Sequence, residues 1–404
     1  MVELDAKTIE IVKSTIPALA GTGSKLTQHF YARMLGNNPE LKNVFNEANQ
    51  RSNAQSEALF GAVCAYAQNI DNLAPLLPAV EKIAQKHCSL NIKPEQYSIV
   101  GENLLATIDE LLAPPKEVID AWAAAYGVLA DIFIQREKEI YDQSASVEGG
   151  WRGLREFKIT EIVPQSNVIS SFKLEPVDAK PVAKYEPGQY LSIHIEHPSL
   201  KNQCIRQYSL TTEPNGQYYR IAVKREELGS VSSLLHNTFK VGDTINVYPP
   251  HGDFFFNSTK DLDTNTPVTL ISGGVGQTPM LSMLHGLKEN GHQGKVTWLH
   301  SARDAQSLAF EKEVVETGST LPGFSSHTFL TKPSPSSGCP FATKIHEGIM
   351  DIQKVLANQL KDTNVHYYFC GPVPFMQAVA KQLTENGVAV SNIHYEVFGP
   401  HRVI

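Results

Sequence analysis

The sequence predicts three domains in series: an all-helical domain, an antiparallel β-barrel, and an α/β domain built on a parallel sheet. Three changes of pattern along the chain predict them. Apolar residues first recur at helical spacing, then lie in short alternating runs rich in β-branched and aromatic residues, and finally form apolar strands that alternate with helical stretches. We expect the domains to span 1–141, 154–262 and 263–404, with a linker at 142–153.

The composition narrows the class of protein. The chain has 404 residues, of which 42% are hydrophobic and 19% charged, and its net charge is -7. Nucleic-acid backbones select basic surfaces, so this charge argues against nucleic acid as the main partner. No apolar run is long enough to cross a bilayer, and the charged N-terminus lacks the layout of a secretory signal. The five cysteines have no paired spacing, and a reducing cytoplasm is therefore expected.

The helical prediction for the first domain depends on periodicity and on the placement of prolines. The segments LFGAVCAYAQNI and WAAAYGVLADIFIQREKEIY carry apolar residues at helical spacing. Prolines stand between such runs, where helices begin or end, at positions 39, 75, 94, 114 and 115. The segment DQSASVEGGWRG that follows is small, polar and glycine-bearing, which is typical of a linker.

The barrel prediction depends on four strand-like segments, FKITEIV, YLSIHIEH, CIRQYSLTT and YYRIAVKRE, which turn sequences separate. The tetrapeptide Arg206-Gln207-Tyr208-Ser209 joins a fixed cation, an aromatic ring and a hydroxyl. An anionic cofactor with a flat ring system needs all three, although an ordinary alternating strand has the same pattern. Tyr190 adds a second aromatic after a turn.

A candidate phosphate site lies at the start of the one helix-like segment of the barrel region, SVSSLLHNT. Gly229 precedes this segment, and Val231 and Ser232 lie in its first turn. Successive backbone N–H groups at such a start form an anion-binding nest.

The α/β domain carries a glycine-rich loop between an apolar strand and a helix. Glycines allow the backbone to approach a phosphate closely, and the helix N-terminus supplies N–H groups. Thr278 is predicted as the N-cap and Pro279 as the first helical residue. Because Pro279 stands where a third glycine of the dinucleotide fingerprint would be, a plain tight turn is the alternative. The candidate residues are Gly273, Gly274, Val275, Gly276, Gln277, Thr278 and Pro279.

A further motif, Cys370-Gly371-Pro372, ends the apolar strand YYFC. Ligands of open parallel sheets bind at the carboxyl ends of strands. Taken alone, Cys370 is equally well explained as a buried apolar residue.

Five motifs, RQYS, GSVS, GGVGQTP, CGP and EVFG, occur in this order from Arg206 to Gly399 and together resemble the ferredoxin–NADP reductase family. That resemblance implies a barrel that binds FAD and an α/β domain that binds NAD(P)H. It implies that the RQYS residues and Tyr190 hold the flavin, and that the loop from Gly274 to Pro279 holds the pyrophosphate. The C-terminal residues implied to close over the flavin are Val397, Phe398, Gly399 and Pro400.

A reductase needs an electron acceptor, which directs attention to His87 in the helical domain. Ile83 and Val80 lie at i−4 and i−7, so His87 is on the apolar face of its helix. By spacing alone, a core histidine is favoured over a metal ligand. Iron ligation also needs a group that fixes the ring, and Tyr97 and Glu137 are candidates for that group.

The other side of the candidate iron pocket would be formed by Tyr31, Phe45, Gln55 and Leu59. Gln55 and Leu59 are four residues apart on one predicted helix, which sets a polar and an apolar group side by side. Each also has a plain structural explanation, as a core aromatic, a core aliphatic or a solvated residue.

Together with the reductase motifs, these residues are similar to those of the flavohaemoglobin family, of the bacterial nitric oxide dioxygenase type. The resemblance implies that His87 is the proximal haem ligand, hydrogen-bonded with Tyr97 and Glu137. It places Tyr31, Gln55 and Leu59 on the distal side of the haem. It also implies that Lys86 and Glu396 lie near the meeting point of the haem and flavin domains.

The activity implied by this resemblance uses haem b, FAD and NAD(P)H. NAD(P)H reduces FAD, FAD passes single electrons to the haem, and O2 bound to ferrous haem converts nitric oxide to nitrate. The alternatives are reduction of alkyl or lipid hydroperoxides, anaerobic reduction of nitric oxide, or a non-enzymatic O2 store or sensor. We expect a monomer with small-molecule partners. Arg303 favours NADPH and Asp304 favours NADH, which leaves the nucleotide preference open.

Overall fold

The computed structural model of the protein describes residues 4–45, 53–256, 263–332, 344–399 and 404. Pro400, one of the residues predicted to contact the flavin, lies outside these ranges.

The N-terminal part is helical, as predicted. Its helices are α1 (Ala6–Ser14), α2 (Ile16–Thr22), α3 (Lys25–Asn37), α4 (Ala54–Gln68), α5 (Leu77–Ser89), α6 (Pro94–Leu112) and α7 (Lys116–Ser146). Pro94 begins α6, where its missing N–H and fixed φ are tolerated. The last helix runs five residues into the predicted linker, because no glycine interrupts the chain before Gly149.

The helical core is built by the apolar faces of these helices. Leu26, Phe30 and Met34 of α3 are fully buried, and they belong to one cluster with Ile108 of α6 and Trp122 of α7. The three α3 residues are spaced four apart, which places them on one face, and burial of such a face stabilises a helix in a globular domain.

The barrel consists of β1 (Arg155–Pro164), β2 (Ile169–Pro176), β3 (Tyr190–Ile195), β4 (Cys204–Ser209), β5 (Tyr219–Lys224) and β6 (Thr244–His251), with α8 (Ser230–Asn237) after β5. The sheet order is β4-β3-β6-β1-β2-β5. Its outermost strands meet beyond β4, where Leu210 bridges Ile221 and the N–H of Thr211 donates to the Arg220 carbonyl at 3.0 Å. The antiparallel barrel prediction is therefore confirmed.

The C-terminal part is a parallel sheet with helices, also as predicted. Its elements are β7 (Val268–Gly273), α9 (Gln277–Glu289), β8 (Val296–Ala302), α10 (Glu311–Gly318), β9 (Ser325–Leu330), β10 (Ile345–Glu347), α11 (Ile352–Leu356), β11 (His366–Cys370), α12 (Val373–Glu385) and β12 (Ile393–Glu396). The order β10-β9-β8-β7-β11-β12 reverses direction beside β7. A ligand of such a sheet binds at that switch point, outside the carboxyl ends of the strands.

Contacts divide the chain into two compact units. One contains Met1–Val147 together with His194–Arg206 and Gly399–Arg402. The other contains Glu148–Ile193 and Gln207–Phe398, so most of the barrel and the whole parallel sheet belong to a single unit. In the parts of the chain that the structure describes, no helix is both long and apolar enough to cross a membrane.

Candidate functional site

His87 lies in the last turn of α5 and is held by two side chains from other helices. Its Nδ1 atom is 2.7 Å from Glu137 Oε1 on α7 and 3.0 Å from the Tyr97 hydroxyl on α6. A carboxylate only accepts hydrogen bonds, so the Nδ1 atom carries the proton and Nε2 keeps its lone pair. Among the described residues, no hydrogen bond involves Nε2. The ring is therefore oriented as a metal ligand requires.

Of the two partners of His87, Glu137 is buried and Tyr97 is half-buried. Glu137 is 3% exposed, and the Tyr97 hydroxyl donates to its Oε1 atom. Burial, and then the neighbouring Glu137 carboxylate, raise the pKa of Tyr97 well above its ordinary value. The Tyr126 hydroxyl donates to the Tyr97 carbonyl at 2.6 Å, and the Phe133 ring lies 5.7 Å from the His87 ring. The imidazole is thus held by a rigid hydrogen-bonded group in an apolar setting.

The residues predicted for the distal side come together around Tyr31. Its ring is T-shaped against Phe45 at 5.7 Å, and Phe45 and Leu59 pack against the same core cluster. Burial raises the pKa of Tyr31 strongly, while a hydrogen bond with Gln55 acts in the opposite direction. The phenol is therefore a neutral donor in an apolar environment. A histidine nitrogen with its lone pair, an apolar cluster and a buried phenol fit a haem that has a small-molecule site beside it.

The two residues predicted to lie between domains are placed as follows. Lys86, beside His87 on α5, donates a hydrogen bond to the carbonyl of Gly399. Glu396 is the last residue of β12, and it is followed by the buried Val397 and by Phe398, which is 48% exposed. An exposed phenylalanine beside a strand end is suited to cover a flat ring system. The roles of Lys86 and Glu396 stay predictions.

The residues predicted to bind the flavin lie on two strands of the barrel. Arg206, Gln207, Tyr208 and Ser209 end β4, and Tyr190 begins β3. Arg206 and Tyr208 are partly exposed, whereas Ser209 is buried, as expected for a strand with one inner face.

The close approach of a backbone segment to the Tyr190 ring explains the glycine at position 252. A Cβ atom on Gly252 would lie 3.0 Å from the Tyr190 ring, and the φ of Gly252 is +125°. Only glycine combines that conformation with that contact. The Tyr190 ring thus has a preformed position.

Gly229 precedes α8 and leaves its first turn open to an anion. A Cβ atom there would lie 2.3 Å from the Ser232 hydroxyl, which accepts from the Glu226 N–H at 3.2 Å. Val231 and Ser232 are buried, whereas Ser230 in the same turn is exposed. The residue types fit the phosphate of a dinucleotide cofactor.

Two buried histidines near these motifs were not singled out from the sequence. His251 ends β6, and within the described ranges its Nε2 atom has no hydrogen-bond partner. His300 on β8 holds Ser272 Oγ at 2.8 Å through Nδ1, while its Nε2 atom is likewise unpartnered there. Burial lowers the pKa of both histidines to about 4. The sequence feature that could have indicated them is a histidine among the apolar residues of a strand.

The nucleotide loop is built by the contact between the ends of β7 and β11. Ser272 pairs with Cys370, and a Cβ atom on Gly276 would lie 2.3 Å from the Cys370 carbonyl oxygen. A Cβ atom on Gly371 would lie 2.7 Å from the Phe375 ring and 3.1 Å from the Gly273 nitrogen. The glycines therefore bring two strand ends together, and Cys370 itself is buried.

The predicted start of the following helix is wrong. Gly274–Gly276 form a 3-10 turn, α9 begins at Gln277, and Gly276 is its N-cap. Thr278 lies inside the helix and donates its hydroxyl to the Val275 carbonyl at 3.0 Å. The glycines wind into a helical turn because no side chain prevents it, which moves the helix start ahead of Thr278.

A small cavity with polar and apolar walls lies beside this helix start. Gln277 and His300 line it together with Glu311 and Thr328, and its volume is about 20 Å³. In the described part of the chain, the Nε2 atoms of both Gln277 and His300 lack partners. A cavity of this size has room for one water molecule, and these two nitrogen atoms could bind it.

Three families of known domains match successive parts of the chain. Residues 28–133 match the globin family, residues 156–256 match the oxidoreductase FAD-binding domain, and residues 270–381 match the oxidoreductase NAD-binding domain. The fold and these matches define a haem oxidoreductase with a flavin- and nicotinamide-dependent reductase on the same chain.

Solved structures identify the family. A flavohemoglobin from Malassezia yamatoensis with bound FAD and heme is 26% identical, with a TM-score of 0.86 over 98% of this chain and 100% of its own. The FAD/NAD-binding domain of a nitric oxide dioxygenase from Vibrio cholerae O1 biovar El Tor is 38% identical over 61% of this chain and 99% of its own, with a TM-score of 0.54. The chain belongs to the flavohaemoglobin family. It binds haem, FAD and a nicotinamide dinucleotide, and its reductase part supplies electrons to the haem.

Proposed function

We propose that this protein is a nitric oxide dioxygenase. In the balanced reaction, two nitric oxide, two O2 and one NAD(P)H give two nitrate, one NAD(P)+ and one proton. The observation that carries the proposal is the pairing of a strongly hydrogen-bonded histidine with a buried neutral tyrosine in the helical unit. The reductase of the Vibrio cholerae nitric oxide dioxygenase, 38% identical to this chain, supports it.

The cofactors divide the chemistry among them. When bound, the nicotinamide supplies a hydride, FAD converts two electrons into single ones, and haem supplies an iron that binds O2. The protein holds each group, orients it and excludes competing reactions. The haem residues are His87 on one side and Tyr31, Gln55, Leu59 and Phe45 on the other.

Glu137 makes His87 an electron-rich ligand. Its carboxylate accepts the Nδ1 proton at 2.7 Å in a buried position, which increases the basicity of the other ring nitrogen. A more basic proximal ligand favours breaking an O–O bond over simple O2 storage. The short Glu137 contact therefore supports the proposed activity over an O2 store.

Tyr31 supplies a hydrogen bond on the distal side. Because burial raises its pKa, the phenol keeps its proton and can donate it toward an acceptor in the pocket. Gln55 bonds to the same phenol and fixes its orientation. Leu59 and Phe45 keep the surroundings of the phenol apolar, which would strengthen a hydrogen bond that it donates in the pocket.

A comparison of oxidants in steady state tests the assignment. NADH-driven turnover with nitric oxide plus O2 should exceed turnover with alkyl hydroperoxide, and also turnover with nitric oxide under nitrogen. A larger rate with a hydroperoxide would favour the peroxidase alternative, and slow turnover with every oxidant would favour an O2 store or sensor. A monomeric state and a cytoplasmic location stay predictions.

A further inference from the structure

An ionic contact joins the flavin barrel to the nucleotide-binding domain inside one compact unit. Arg220 on β5 donates through Nη2 to Glu313 Oε1 on α10 at 2.6 Å. The same guanidinium donates through Nη2 to the Thr211 carbonyl at 2.9 Å and through Nε to the Thr211 hydroxyl at 2.8 Å. The Arg220 side chain is 19% exposed, so its position is fixed by protein contacts.

Glu313 has a second hydrogen-bond partner, on another helix. His285 Nε2 on α9 lies 2.7 Å from the same Oε1 atom, and the His285 side chain is 13% exposed. Burial raises the pKa of Glu313, but the hydrogen bonds from His285 and Arg220 outweigh it and hold the pKa below its ordinary value. Glu313 is therefore a carboxylate that connects a barrel strand with two helices of the nucleotide domain.

Further contacts occur at the same place. The Ser282 hydroxyl of α9 donates to the Thr212 carbonyl at 2.9 Å, and the Tyr185 hydroxyl donates to that carbonyl at 2.7 Å. A Cβ atom on Gly286 would lie 2.6 Å from Pro187, three residues before Tyr190. Helix α9 thus packs directly against the segment that carries a predicted flavin residue.

We propose that Arg220, Glu313 and His285 form an ionic clamp that sets the orientation of the nucleotide domain on the flavin barrel. Helix α9 begins at the nucleotide loop and carries His285, while β5 carries Arg220. Fixing α9 relative to β5 positions the nicotinamide against the flavin for hydride transfer. The three are positioning residues. The inference concerns the step between nucleotide and flavin, and it holds whichever oxidant the haem serves.

The directional character of the contact supports this role. A half-buried ion pair adds little net stability compared with an apolar contact, because its charges lose solvation. Its geometry, however, is specific, since a guanidinium fork and a shared carboxylate oxygen tolerate few arrangements. Hydride transfer depends steeply on the separation and alignment of the reacting atoms.

Glu313→Gln tests the clamp, with Glu316→Gln as the matched control on the same helix. Glu316 pairs with Lys312 at 3.6 Å, and both side chains are 66% exposed. In the FAD-loaded protein, Glu313→Gln should slow flavin reduction at saturating NADH by roughly tenfold or more, with the dissociation constant of NAD+ unchanged within about twofold. Glu316→Gln should change neither quantity.

Hydrogen exchange gives a readout that does not depend on turnover. Amides of β5 and α10 should exchange faster in Glu313→Gln than in Glu316→Gln, because the clamp no longer holds these elements together. An unchanged flavin-reduction rate in Glu313→Gln would overturn the proposal, and so would a loss that weaker NAD+ binding accounts for. If Glu313→Gln fails to retain FAD, His285→Gln replaces it, because that variant keeps the Arg220–Glu313 pair. Its flavin-reduction rate and NAD+ affinity are compared with those of Glu316→Gln by the same criteria.

Discussion

Oε1 of Glu137 accepts hydrogen bonds from both the His87 Nδ1 atom and the Tyr97 hydroxyl, although the three residues belong to three different helices. The carboxylate is almost completely buried, so neither bond competes with water. This arrangement fixes the ring plane of His87, determines which nitrogen carries the proton, and makes the other nitrogen a stronger ligand.

Glu137→Gln should weaken the proximal ligand without removing the haem. A neutral amide takes the place of the carboxylate, so the imidazole loses basicity, and nitric oxide turnover should fall by about tenfold or more. The iron–histidine stretching frequency of the ferrous protein, measured by resonance Raman spectroscopy, should decrease. Glu139→Gln, at an exposed position paired with Arg136, is the control and should leave the frequency unchanged. An unshifted frequency in Glu137→Gln would remove Glu137 from its assigned role.

Tyr31→Phe should accelerate O2 dissociation from the ferrous haem. The substitution removes one hydrogen bond in an apolar pocket, which corresponds to roughly a tenfold rate increase. Stopped-flow measurement of O2 release tests this. Tyr66→Phe is a matched control, because its buried hydroxyl donates to the Ala125 carbonyl at 2.8 Å. It should reduce stability and leave O2 release unaltered, whereas equal rates for wild type and Tyr31→Phe would contradict the prediction.

The reductase part should lose stability as the pH falls from about 6.5 toward 4. Burial lowers the pKa of His251 and His300 from 6.5 to about 4. Over that interval the unfolded chain binds protons that the folded chain does not, so the free energy of unfolding decreases, and above pH 6.5 the contribution is fully present. Each histidine contributes at most about 3 kcal/mol. Urea unfolding at pH 7 and pH 5 measures how steeply the free energy of unfolding depends on pH. His300→Gln should reduce that dependence. The same dependence in the wild type and the variant would count against this cause.

Gly276→Ala should weaken nucleotide binding. The added methyl group would lie 2.3 Å from a backbone carbonyl, so the loop and the end of β11 must separate. The dissociation constant of NAD+ should rise by about tenfold or more, since the loop is preorganised for its ligand. Flavin reduction by dithionite should be unaffected. Gly127→Ala, where the new methyl group meets nothing within 4 Å, is the control, and equal NAD+ affinities in the two variants would contradict the prediction.

The regular elements were largely predictable, because their periodicity reflects burial on one or both faces. The apolar strands β7, β8, β9 and β11 were predicted, as the apolar strands that alternate with helical stretches in the last part of the sequence. Strands β2 and β6 were not, because ISSFKLEP has adjacent serines and TINVYPPH has adjacent prolines, both of which weaken a strand pattern. The short edge strands β10 and β12 lack an apolar run altogether.

Some of the site residues could be predicted from the sequence, and others could not. His87 and Glu137 are 50 positions apart, and it was the reductase motifs that made a ligand role plausible. Arg220 and Glu313 are 93 positions apart, in elements with ordinary surface-like charges, so nothing in their spacing indicates a contact. Long-range polar pairs depend on how domains pack, and the local pattern does not encode that packing.

Oxygen isotope labelling of nitrate tests the proposed function most directly. The protein is supplied with NADH, nitric oxide and 18O2 in unlabelled water, and the nitrate is analysed by mass spectrometry. The predicted result is one nitrate per nitric oxide consumed, with two of its three oxygens labelled and two nitric oxide molecules consumed per NADH. Nitrate that fails to account for the nitric oxide lost, or that carries fewer than two labelled oxygens, would contradict the proposal.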